Sequence, residues 1–109
     1  MKPVAWLGDS RRAVREFPDV ARQQAGVELF AVQLGDNPSD WKPMSTVGAG
    51  ANEIRIHAGN EYRVIYIAKF AEAVYVLHAF EKKTRQTSRQ DIELAARRYR
   101  EMLNRRRGT

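Results

Sequence analysis

Apolar positions recur in two rhythms along this chain, one near every third or fourth residue and one near every second. "PVAWLG" is a short apolar run ended by Gly8, which predicts a first strand. "DSRRAVREF" follows; Asp9 or Ser10 is placed to cap a helix, with Ala13, Val14 and Phe17 on one face. Pro18 interrupts and suits the first turn of a second helix. In "PDVARQQAGVELFAVQLGDNP", Val20, Gln24, Val27, Ala31 and Leu34 fall near one stripe, with Ala21 and Phe30 beside it. Gly35 is a natural stop. The pattern predicts a helical hairpin from Ser10 to Leu34.

"DNPSDWKPMSTVGAGAN" reads as a loop, with Trp41 and Met44 expected to pin it to the core. The period then changes to two. "EIRIH" alternates, Ile54 and Ile56 on one side and Glu53, Arg55 and His57 on the other. "EYRVIYIAKF" and "AVYVLHAF" are apolar on both faces, as central strands are. The joints "AGN" and "KFAEA" have hairpin length, so the three strands form an antiparallel meander.

The last element opens on "TSRQDIE", where Thr87 with Gln90, or Ser88 with Asp91, has capping-box spacing. Ile92, Ala95, Ala96, Tyr99, Met102 and Leu103 form its apolar stripe; Arg97, Arg98, Arg100 and Arg105 lie mainly off it. The expectation is one α+β domain over residues 1–109: an N-terminal strand, a helical hairpin, a three-stranded meander, and a basic C-terminal helix over residues 88–109.

Charge sharpens this picture. The net charge is +6, but residues 1–81 hold nine Lys or Arg against ten Asp or Glu. Residues 82–109 hold ten against three, so the last quarter carries the whole excess. Such asymmetry suits a phosphate-rich or acidic partner, and equally suits a solvated tail. There is no cysteine, which removes disulfides and thiolate chemistry. No apolar run approaches the ~18 residues of a membrane span. The N-terminus lacks the apolar core and cleavage site of a secretory signal, so a cytoplasmic location is expected.

Candidate chemistry is narrow. Only His57 and His78 supply imidazoles, and no zinc or calcium spacing is present, so no metal or cofactor is expected. "GAGAN", Gly48 to Asn52, lacks the lysine and helix start of a phosphate cradle. What remains is a sheet bearing cations. If the strands pair through "HAGNE", Arg55 and Arg63 are neighbours, able to hold a phosphate by bidentate bonds or to pair with Glu53 and Glu61. His78, two residues from Phe80, is either a proton-transfer group or a structural histidine. Lys82, Lys83 and Arg85 follow as a basic rim. Tyr66 offers a ring for stacking on a base, or a core contact.

The phrases "VQLGDNPSDWKPM", "GAGANEIRI", "YRVIYIA" and "VYVLHAFEKKTRQT", with the order of elements, resemble the phage-derived, HigB-type branch of the RelE/ParE toxin superfamily. The likeness runs from Trp6 to about Tyr99. It implies a RelE-like fold and the toxin of a type II toxin–antitoxin pair, partnered by a small helix-turn-helix antitoxin. It further implies a metal-independent endoribonuclease that cleaves mRNA on the ribosome, the ribose 2′-hydroxyl attacking the adjacent phosphate. On this likeness Arg63, Arg55, His78 and Lys82 form the catalytic set, with Lys83, Arg85 and Tyr66 binding substrate. Many relatives end soon after the last strand with a histidine or tyrosine; here a long basic helix follows, which leaves the general base open. Two other functions share the fold: a ParE-like gyrase inhibitor, and a non-toxic RNA-binding regulatory module of phage origin.

Overall fold

A computed structural model describes residues 1–108. The chain runs β1 (Val4–Trp6), α1 (Ser10–Arg15), α2 (Asp19–Gln33), β2 (Trp41–Pro43), β3 (Ala51–Ala58), β4 (Asn60–Ile67), β5 (Val74–Lys82) and α3 (Arg89–Gly108). The strands make one mixed sheet in the order β1-β5-β4-β3-β2. The expected meander is β3-β4-β5. β1 joins it parallel to β5, and β2 adds antiparallel to β3. β2 lies inside the segment read as a loop: three residues ending in proline give no usable period, and an edge strand tolerates a proline.

Each face of the sheet carries its own helical layer. Ile54, Ile56, Tyr62, Val64 and Tyr66 pack against α1 and α2 with Val14, Phe17, Ala21, Ala25, Leu29 and Val32. On the other face, Ile65, Ile67 and Leu77 meet Ala95, Tyr99 and Met102 of α3. Two-sided burial explains why β4 and β5 carry apolar residues on both faces.

The hairpin is present, but α2 is rotated from the expected stripe. Ala21, Ala25, Leu29 and Val32 face inward, while Val20, Val27, Phe30 and Leu34 are at least half exposed. The small alanines let the helix backbone approach the sheet; the larger residues stay outside.

The start of α1 also departs from expectation. Neither Asp9 nor Ser10 caps it: the Asp9 carboxylate accepts from Arg98 at 2.8 Å, and Ser10 donates to the Val76 carbonyl. α3 does open on the expected cap. The Asp91 N–H donates to Ser88 Oγ, and that hydroxyl donates to Asp91 Oδ2 at 2.6 Å.

α3 is fixed by close approaches. Tyr99 donates to the Ala49 carbonyl at 2.8 Å, and a Cβ on Gly48 would stand 2.8 Å from the Tyr99 ring. Gly48 of "GAGAN" thus lets a loop meet an aromatic ring. Arg98 donates to the Leu77 carbonyl, and Arg106 lies over Phe70 and pairs with Glu72 at 2.6 Å. Two cations of the basic helix are therefore committed to holding it on the sheet.

Candidate functional site

Cross-strand neighbours share a face, so the register assigns the candidate residues. Three rows cross β3, β4 and β5 on the α3 side. The first is Glu53, Ile65 and His78; the second is Arg55, Arg63 and Phe80; the third is His57, Glu61 and Lys82. A bulge helps: Ile65 pairs with His78 and Tyr66 with Val76, leaving Leu77 as the extra residue. The structure therefore brings Arg55, Arg63, His78 and Lys82 onto one surface.

Arg63 is 2% exposed. Its Nη2 donates to Glu61 Oε1 at 3.0 Å, its Nη1 to the Tyr62 carbonyl at 2.9 Å, and its Nε lies 3.6 Å from Glu53 Oε1. Glu53 is itself 1% exposed and accepts from Thr87 Oγ1 at 2.8 Å. The guanidinium is thus the centre of a buried ion network. Arg55, half-buried and directly opposite, makes no ion pair among the described residues, and its Nε is buried without a partner.

His78 is buried and stacks on Phe80, ring centroids 5.0 Å apart. Its Nε2 lies 2.7 Å from Asp91 Oδ1, and Asp91 is steadied from behind by Ser88. A neutral ring donating Nε2–H to Asp91 carries its basic lone pair on Nδ1, which is buried without a partner. A carboxylate that orients an imidazole is the arrangement that proton transfer needs.

A second histidine cluster lies at the sheet edge. His57 places Nε2 at 2.7 Å from Asp40 and Nδ1 at 2.7 Å from Glu61, and the same Glu61 holds Arg63. The hydrogen bonds to Asp40 and then Glu61 raise the His57 pKa, and His57 in turn holds both carboxyls below their ordinary values. His57 is half exposed and favoured as the imidazolium.

The remaining candidates separate. Lys82 Nζ donates to the Arg85 carbonyl and ties the strand exit, while Lys83 and Arg85 are exposed beyond it. Tyr66 lies on the opposite face, buried against the hairpin helices, because its register partner is Asn52 rather than Arg55 or Glu53. Burial pushes its hydroxyl up to about 12. The sheet separates it from the arginines, and its ring is a core contact.

Sequence reading offered Glu53 and Glu61 as ion-pair partners of the arginines, which the structure shows for Arg63, but it passed over Asp40 and gave Asp91 and Thr87 only a capping role. Asp91 carried one signal, its place in the capping box; its second oxygen reaches His78. Among the described residues, no group of three or more metal-ligating side chains is arranged to hold an ion, and no helix is long and apolar enough to cross a membrane.

Comparison with protein families decides the affiliation. The model described as Phage derived protein Gp49-like (DUF891) matches residues 12–100. The chain belongs to the Gp49-like family. This phage-derived family is toxin-like and associated with toxin–antitoxin systems. No curated protein matches the chain. In this Gp49-like protein the matched span begins in α1 and ends within α3, so it takes in the three rows and the Asp91 that holds His78.

Proposed function

We propose that this Gp49-like protein is the toxin of a type II toxin–antitoxin pair and cleaves mRNA on the ribosome. One observation carries the reading: Arg55 Nε, Arg63 Nε and His78 Nδ1 are buried nitrogens on one sheet face, each without a hydrogen-bond partner. Buried polar atoms are normally satisfied, and a pair of guanidiniums beside an imidazole suits a phosphodiester.

In this reading Arg55 binds the scissile phosphate, and Arg63 adds a fixed positive field behind it. The charge that develops on the phosphate oxygens is stabilised by groups already in place. The ribose 2′-oxygen forms its bond to phosphorus as the bond to the 5′-oxygen breaks. The 2′-hydroxyl proton passes to His78 Nδ1, oriented by Asp91. The 5′-oxygen leaves with a proton drawn from solvent at the open edge of the site. Lys82, Lys83 and Arg85 form the outer basic rim toward the RNA backbone. The partners are the ribosome with its mRNA and a helix-turn-helix antitoxin.

The test is induction of wild type and Arg55→Gln, following growth, mRNA 5′ ends and DNA supercoiling together. Wild type should arrest growth and create new 5′ ends. Arg55→Gln should do neither while melting at the same temperature. Full toxicity of a folded Arg55→Gln variant, or arrest with intact mRNA and altered supercoiling, would overturn the reading.

A further inference from the structure

The helix pair on the other face of the sheet carries a feature that RNA cleavage does not use. Val20 and Val27 are 67% and 66% exposed, Phe30 50% and Leu34 54%. They recur along the outward side of α2, one contiguous apolar stripe. The only charged residue from Gln23 to Leu34 is Glu28, which is turned inward onto Ser39. A monomeric surface seldom leaves such a stripe bare unless something docks there.

Beside the stripe runs a groove of about 360 Å³ between α1, α2 and β1. Trp6, Val14 and Leu29 line it, and Arg11, Arg15 and Arg22 stand around it. Arg22 is held by Asp19 at 3.1 Å. Arg11 and Arg15 are exposed and make no ion pair among the described residues. Gly26 lies where groove and stripe meet, and a Cβ there would meet nothing within 4 Å. A glycine inside a helix costs about 1 kcal/mol against alanine. The chain's own packing does not require it, whereas a second backbone approaching the helix would.

We propose that this groove and stripe are the docking surface for an acidic amphipathic helix of a partner protein. Its apolar side lies along the groove and over Val27 and Phe30, and its Asp and Glu side chains meet Arg11 and Arg15. Charge selects this occupant. A second copy docked through the same surface would bring Arg11 and Arg15 against their own counterparts. A lipid surface would touch the convex stripe and leave the groove unfilled. The surface lies across the sheet from Arg55 and His78, so the partner leaves that site open, and the inference does not depend on the RNA reading.

The experiment uses the isotope-labelled full chain and two synthetic helical peptides with the same leucine stripe, one flanked by glutamates and one by lysines. The glutamate peptide should shift the amide resonances of Arg11, Arg15, Gly26 and Phe30, and the lysine peptide should bind at least about tenfold more weakly. Gly26→Leu should block binding without unfolding the chain. Arg11→Glu with Arg15→Glu should reverse the preference toward the lysine peptide. Equal binding of both peptides, or no shift at these residues, would overturn the proposal. So would a dimer that Phe30→Ser dissociates, or adsorption to anionic phosphatidylserine vesicles that Phe30→Ser abolishes.

Discussion

Arg55 and Arg63 stand directly opposite each other across β3 and β4, yet only Arg63 is held by carboxylates. Like charges at facing positions repel. Glu53 and Glu61 offset that repulsion from the Arg63 side, which leaves Arg55 as the guanidinium able to receive a new anion. The division separates a cation that holds the sheet from one that can bind.

It follows that Arg63→Ala is first a stability variant. Removing the guanidinium leaves Glu53 buried with only Thr87 as a partner. Breaking a buried pair from one side costs roughly 3–5 kcal/mol. Urea denaturation should show a loss of that order. Arg63→Met with Glu53→Leu, which removes both charges and keeps the volume, should recover most of it. An Arg63→Ala variant as stable as wild type would contradict the ion network as drawn.

The Asp40–His57–Glu61 cluster sets a pH dependence. The folded His57 pKa is raised above 6.5, so its contribution is complete below that value and fades as pH rises through the folded one. Asp40 and Glu61 are lowered from 3.8 and 4.5, so theirs holds above those values and fades as pH falls through the folded ones. The cluster should stabilise most between pH 4.5 and 6.5. His57→Gln should flatten the decline above that interval, by a modest amount because the groups are half exposed. The His57 Hε1 resonance should titrate with a midpoint above 6.5; a midpoint at or below it would refute the bridge.

Two glycines should respond to alanine in opposite senses. At Gly48 the added methyl meets the Tyr99 ring at 2.8 Å, so the loop must move off α3, at a cost of roughly 1–3 kcal/mol. At Gly26 it meets nothing, and the gain in helix propensity is about 0.5–1 kcal/mol. Thermal melting of the two variants should move down and up, respectively.

Much of the site was legible because a strand has a strict period. The two-residue rhythm put Glu53, Arg55 and His57 on one side of β3, and the short joint at Gly59 fixed their register with Glu61 and Arg63. The α2 stripe misled because apolar residues seven apart look like a core face. The sheet instead selected Ala21 and Ala25, which admit a closer backbone. The pairing of Asp91 with His78 and of Arg98 with Asp9 joins residues distant along the chain, and local spacing carries no trace of such contacts. Tyr66 was a matter of parity: one step from Ile65 turns it to the other side.

α3 is fixed to its sheet face by contacts between residues far apart along the chain, Arg98 to Asp9 and Tyr99 to Ala49. Until those contacts form, the side of the sheet bearing Ile65, Ile67 and Leu77 lacks its apolar cover. A chain with its strands formed but these contacts unmade therefore exposes a bare apolar sheet, the form of this protein most prone to self-association.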